Sequence, residues 1–175
     1  TATAFTQRNG RGNSGTPLTV IFTVINNTGD VCYGDEVISY LPGSRKNGND
    51  LPEIRTNASN ALGAPQENDS YNFVSLGFGG SIEIRLECEV VDQPGNDLLI
   101  VETSFRDSGL PCESYPETAN VEASVDGETW VLIATNICRD EEVDIANGGL
   151  TSAQYIRITD TSNHFEFSVG NADGY

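Results

Sequence analysis

Positive charge is what this chain has least of: Lys and Arg number 9 against 26 Asp and Glu, a formal charge of −17 with a pI of about 4.1. A nucleic acid would be repelled by such a surface instead of releasing counterions from basic side chains, so that partner class is excluded. A bare anionic membrane surface is disfavoured for the same reason. His164 is the sole histidine and no CxxC occurs among the four cysteines, which removes most zinc sites. There is no GxSxG serine and no HExxH pair, so neither a serine nor a zinc mechanism has visible support. Acid pairs at glycosidase spacing exist in any chain this acidic, and nothing here singles one out. The chain therefore reads as non-enzymatic. No apolar run reaches membrane length and no signal peptide is visible, so the expectation is an excised or mature segment without membrane insertion. Helical periodicity of ordinary length and internal repeats are missing too. An EF-hand is excluded, since Asn171 to Gly174 copies only its middle and Val169 stands where the first acid belongs.

What is present is alternation. Ile82, Ile84, Leu86 and Cys88 fall on one side of a strand, with Ser81, Glu83, Arg85 and Glu87 on the other. Leu98 to Val101 is apolar throughout and too short for a helix, which predicts a central strand covered on both faces. Between them the turn Val91 to Asp97 contains Pro94 and Gly95 and sets two carboxylates at a rim. Gly77 to Gly80 lies between strands, where glycine permits a bulge or a tight crossing.

Around this stretch, Thr1 to Thr16 has the composition of a flexible spacer, and Leu18 to Ile25 is a strongly apolar strand. A strand so hydrophobic must pair. It is either part of this chain's own sheet or a donor strand that completes a neighbour's sheet to build a fibre. Asp35 to Tyr40 forms a short strand, followed by a long polar loop from Leu41 to Asn72. Val121 to Val125 and Thr129 to Ile133 form a hairpin turned at Asp126-Gly127. Asp140 to Gly149 reads as an acidic loop, Tyr155 to Thr159 as a strand, and Phe165, Phe167 and Val169 as the next. The organisation expected is an N-terminal segment over 1–30 and one antiparallel all-β domain over 31–175. Asn26, Asn57 and Asn68 each fit the N-x-[ST] pattern, a weak signal in a chain rich in asparagine.

Four cysteines amid Gly- and Asn-rich loops point to two disulfides and an oxidising, extracellular compartment. Closing the hairpin brings the segments around Cys112 and Cys138 together, which favours that bridge and leaves Cys32 for Cys88.

The runs NASNALGAP (57–65), VSLGFGGSI (74–82), PGNDL (94–98), VETSF (101–105), YPETANV (115–121), SVDGETW (124–130) and AQYIRITD (153–160) resemble a domain family of large secreted and cell-surface proteins of Bacteroidetes-type bacteria. The resemblance spans about Cys32 to the end. It implies a jelly-roll β-sandwich similar to galactose-binding and discoidin-like modules, used at the cell surface for adhesion or glycan contact and often holding calcium. It also implies one more short acidic strand beyond Tyr175.

Calcium takes six to eight oxygens from carboxylates, amides and carbonyls of wrapping loops. Candidate ligands are Asn96, Asp97, Glu102, Glu117, Asp126 and Asp160. At about 3.3 Å per residue, Asp97 and Glu102 stand about 16 Å apart and cannot share an ion. Glu102, Glu117 and Asp160 would gather at one rim with Asn57 to Asn60, and Asp97 with Asp126 at the other. Sugar faces stack on aromatic rings, and Trp130 and Tyr115 are the first candidates for that role, with Asn57 beside them and Tyr71 and Tyr155 in reserve. A shift of one residue moves Trp130 between core and surface. The function expected is an extracellular, non-catalytic adhesion or glycan-binding module, stabilised by calcium, with glycans or other surface proteins as partners. The alternative is a structural fibre subunit, a homopolymer assembled through Leu18 to Ile25.

Overall fold

The computed structural model describes residues 21–25, 31–65, 72–102, 112, 116–168, 170 and 172. The spacer over Thr1 to Thr16, Tyr71, Tyr115, Val169 and two of the three glycosylation patterns, at Asn26 and Asn68, lie outside the described residues.

Among the described residues, nine strands form two antiparallel sheets. In chain order they are β1 (Ile21–Ile25), β2 (Val31–Cys32), β3 (Gly34–Leu41), β4 (Ser81–Val91), β5 (Leu98–Val101), β6 (Ala119–Ser124), β7 (Val131–Ile137), β8 (Glu141–Val143) and β9 (Ser152–Asp160). One sheet has the order β2-β1-β5-β8 and the other β3-β4-β9-β6-β7. Helical structure among the described residues is confined to short 3-10 turns.

The alternating pattern explains how the sheets meet. Ile82 pairs with Ile158, which pairs with Val121, and Ile84 pairs with Ile156, which pairs with Ala123. All six are fully buried, in one cluster with Leu98, Ile100 and Val143 from the other sheet. The core is thus shared by the two sheets in a sandwich-like arrangement. The residues between them face outward: Arg157 sits between Glu83 and Glu122, at 2.8 and 3.2 Å. β5 is central in its sheet, but its burial alternates. Leu98 and Ile100 are in the core while Leu99 and Val101 are half-exposed, so this strand is covered on one face and not on both.

Both expected disulfides are present, Cys32–Cys88 and Cys112–Cys138, each with Cα atoms 6.0 Å apart. Cys32 is in β2 and Cys88 in β4, so the first bridge crosses from one sheet to the other. Cys88 lies where the β4–β9 register slips, between Arg85 and Val90. There the Leu86 carbonyl accepts from Gln154 Nε2, at 2.6 Å.

Two elements depart from the sequence pattern. The acidic segment 140–149 is not a loop: it contains β8 and a 3-10 turn over Ile145–Gly148. Val143 and Ile145 are buried there, and the open edge of β5 takes β8 as its partner, Leu98 opposite Val143. The alternation at Phe165 and Phe167 is not a strand either. His164–Glu166 is a 3-10 turn whose start is capped by Asn163, which accepts from the Phe165 N–H at 3.2 Å. Phe165 is 80% exposed, while Phe167 is buried edge-on against Phe78 with centroids 5.3 Å apart.

The glycines at 77–80 do make a tight crossing. Gly43 N–H donates to the Leu76 carbonyl at 2.8 Å, and a Cβ on Gly43 would stand 2.2 Å from the Phe78 carbonyl oxygen. Only backbone is there to yield. Gly43→Ala is expected to destabilise the protein by about 3 kcal/mol or more. Gly48→Ala, at a left-handed position with open space around it, should cost only about 1 kcal/mol. Urea denaturation of the two variants checks the order, and equal losses would mean that the crossing is not the constraint.

Candidate metal centre

Three strand ends meet at one rim of the sandwich. β4 ends at Val91 and is followed by Asp92, β5 begins at Leu98 and is preceded by Asp97, and β8 ends at Val143 and is followed by Asp144. Carboxylate oxygens of these three aspartates lie within 4.8 Å of one another. The convergence comes from backbone pairing: Asp97 N–H donates to the Val143 carbonyl at 3.0 Å, extending the β5–β8 ladder by one residue, and Asp92 N–H donates to the Thr151 carbonyl at 3.0 Å.

Each carboxylate is held differently. Asp97 is buried, and its Oδ1 accepts from Gln93 N–H at 3.0 Å and its Oδ2 from Ile145 N–H at 3.1 Å. Asp144 Oδ1 accepts from Ala146 N–H at 2.7 Å and caps the 3-10 turn. Asp92 is half-exposed at the mouth. Burial pushes the Asp97 carboxyl above the usual carboxylate range; the negative charges of Asp144 and Asp92 push the same way, and the two backbone donors oppose them. Like charges this close repel, and a hard divalent cation bound between them would relieve the repulsion. Three carboxylates supply half or less of a calcium shell, so backbone carbonyls and water would complete it.

Of the residues the sequence nominated, Asp97 is in this group and Asn96 is adjacent, with its Nδ2 donating to Glu142 Oε2 at 3.2 Å. Asp126 is not in the group. Its Oδ1 accepts from Glu128 N–H and Thr129 N–H, each at 2.8 Å, and from Ser124 Oγ at 3.0 Å, closing the β6–β7 hairpin. Those donors, the Thr129 N–H foremost, lower its carboxyl to about 2.

Glu102 follows the end of β5, Glu117 lies two residues before β6 and Asp160 ends β9, and the three do not form a three-carboxylate group among the described residues. Asp160 accepts from Gly79 N–H at 2.7 Å and Ser162 Oγ at 2.6 Å, which ties the glycine crossing to the end of β9. Glu102 pairs with Arg139 at 3.1 Å. Glu117 is buried just before β6. Asn57 is exposed at the start of a 3-10 turn and donates to Asn60 Oδ1 at 2.9 Å; this segment packs on Gly34 at the beginning of β3, with Gly63 N–H donating to the Gly34 carbonyl at 2.9 Å.

Trp130 is half-buried outside the core, with the Arg157 guanidinium 4.0 Å from its ring centroid. Glu83 and Glu122 accept from that guanidinium on two sides and orient it over the ring.

Asp92 was legible as a rim carboxylate of the Pro-Gly turn. Asp144 was hidden inside what read as a loop, and the signal for it was Val143 and Ile145 flanking it as apolar neighbours. No protein-family model, curated protein or solved structure matches this chain.

Asp97→Ala leaves the buried Ile145 N–H without its acceptor and is expected to cost about 1–3 kcal/mol in urea denaturation with chelator present. Asp92→Asn, at the exposed mouth, should change stability by no more than about 0.5 kcal/mol. An Asp97→Ala protein as stable as its parent would show that Asp97 does not hold the rim together.

Proposed function

We propose that this chain is an extracellular, non-catalytic binding module: a jelly-roll β-sandwich of the galactose-binding, discoidin-like kind whose rim loops are stiffened by calcium and present a surface to glycans or to other cell-surface proteins. The observation that carries this reading is the convergence of Asp92, Asp97 and Asp144 within 4.8 Å at three strand ends. Two disulfides support an oxidising compartment. The position of Trp130, half-buried outside the core, supports sugar contact, since an indole with a partly exposed apolar ring can stack on sugar C–H groups.

A second reading, a fibre subunit assembled by strand exchange, has one observation in its favour. β1 lies between β2 and β5 and pairs with both, Val24 opposite Cys32 and Leu98. Its removal would open a two-sided slot that another chain's strand could fill. Deleting residues 1–26 distinguishes the two readings. A binding module yields a destabilised monomer, whereas a fibre subunit yields a folded acceptor that takes up a synthetic Leu18 to Ile25 peptide.

Calcium binding is checked by thermal unfolding. At a hundredfold excess over Kd, calcium is expected to raise Tm by about 5–10 °C, reversibly with chelator. Asp144→Asn keeps the cap's acceptor oxygen but loses a charge, and should abolish the shift. Glu102→Gln, at the other rim, should retain it. No shift at millimolar calcium in the parent protein would overturn the metal reading.

A further inference from the structure

Asparagine is a thermolabile residue, most of all before glycine, which has no side chain to keep its backbone nitrogen away from the asparagine carboxamide. The pair occurs at Asn9-Gly10, Asn47-Gly48 and Asn147-Gly148. The first lies outside the described residues. In the other two the asparagine is exposed, but the glycines have opposite surroundings.

Asn47-Gly48 turns the loop that follows β3. Gly48 N–H donates to the Arg45 carbonyl and Arg45 N–H to the Asn49 carbonyl, both at 2.8 Å, so two backbone bonds close the turn. Gly48 adopts φ 80°, and a Cβ built on it would meet nothing within 4 Å. That side of the glycine is open. Asn47 Oδ1 accepts from the Asn49 N–H at 2.9 Å. This is the oxygen on which negative charge gathers when a nucleophile adds to Cγ, so the turn already supplies a donor for the addition. Arg45 and Lys46, the only lysine in the chain, immediately precede it, and their positive charge favours a developing anion.

Asn147-Gly148 is held instead. It belongs to the 3-10 turn Ile145–Gly148, and a Cβ on Gly148 would stand 2.8 Å from Val131 Cγ1 and 2.9 Å from Ile133 Cγ2 of β7. Asn147 N–H donates to the Asp144 carbonyl at 3.2 Å, and Gly149 N–H to the Ala146 carbonyl at 2.8 Å. Swinging the Gly148 nitrogen onto the Asn147 side chain requires the glycine to leave its seat on β7.

We propose that Asn47 is a site of spontaneous covalent modification that acts on the C-terminal segment. Solvent hydroxide takes the proton of the Gly48 N–H, and the nitrogen adds to Asn47 Cγ. The new C–N bond forms, the Cγ–Nδ2 bond breaks, and the side-chain nitrogen leaves as ammonia with a proton from water, which restores the hydroxide. Water then opens the cyclic imide at either carbonyl, giving aspartate or, with the main chain rerouted through Cβ, isoaspartate. The consequence falls on a clasp. Lys46 N–H donates to the Ala172 carbonyl at 2.8 Å and Lys46 Nζ to the Phe167 carbonyl, and both Phe167 and Ala172 are buried. Isoaspartate lengthens the backbone of the turn by a methylene, so the two bonds that close it can no longer both form, and Lys46 is turned away from the segment it holds.

The test is ageing of the intact, disulfide-bonded protein in mildly alkaline buffer, with peptide mass spectrometry scoring aspartate and isoaspartate at each position. Asn47 is expected to convert at least about tenfold faster than Asn147, a factor equal to about 1.4 kcal/mol of barrier. In the reduced chain unfolded in urea the two rates should converge, since only the shared dipeptide then counts. Equal rates in the folded protein, or a faster Asn147, overturn the proposal. Gly48→Ala should slow conversion at Asn47 and leave Asn147 unchanged; undiminished conversion at Asn47 in that variant contradicts the route through the Gly48 nitrogen. The clasp is read by hydrogen exchange of the Lys46 amide. The isoaspartate form, isolated by chromatography, is expected to lose protection about tenfold, whereas Asn47→Asp, with the same added charge on an unaltered backbone, should keep it. Isoaspartate protein as protected as its parent would overturn the clasp. The aspartate rim takes no part, so calcium binding and ageing at Asn47 can fail separately.

Discussion

The burial of Ile82, Ile84, Ile156 and Ile158 against Leu98, Ile100 and Val143 is the interaction from which the rest of this molecule follows. Each such side chain contributes about 1.5–3 kcal/mol when taken from water, and because they alternate along their strands, each strand is committed to one orientation. A one-residue slip of β9 would expose its isoleucines and bury Arg157. The Cys32–Cys88 bridge crosses the same interface and fastens the short β2 to the long β4. Two residues of β2 would hardly hold by pairing alone.

Once the sheets are locked, the polar work is left to the two rims, and they are built to opposite electrostatic designs. At one rim three aspartates converge with no cation among the described residues to offset them, a concentration of negative charge suited to a hard metal ion. At the other, Asp160 satisfies the glycine crossing and Glu102 is half-compensated by Arg139. The difference lies in the residues that follow the strands. The β4–β5 turn and the end of β8 supply acids only, whereas the β7–β8 link supplies Arg139 between a cystine and Asp140.

Much of this was legible in the residues. Period-two alternation at 81–88, the Asp126-Gly127 turn and the even cysteine count led to the strands, the hairpin and both disulfides, because each reports a local constraint that tertiary structure seldom overrides. β8 was not legible: three residues, two of them glutamates, have no pattern of their own and become a strand only because β5 offers an edge. Phe165 and Phe167 misled for the reverse reason, since two alternating aromatics imitate a strand when one sits exposed within a turn and the other fills a gap beside Phe78. Of the rim, the sequence pointed to Asp97 and its turn. Asp144 required knowing that β8 ends beside β5, a non-local fact. The pairing of Glu102 with Arg139 was equally non-local, and a carboxylate read as a metal ligand proved to have a cationic partner.

The proposed function turns on whether the aspartate rim holds a cation. The most direct measurement is anomalous diffraction from crystals grown with calcium. The account predicts a peak between Asp92, Asp97 and Asp144, with carboxylate oxygens at about 2.3–2.6 Å and at least three further oxygens around it. A well-ordered rim with the three carboxylates splayed apart and no peak between them, in crystals soaked at millimolar calcium, would contradict it.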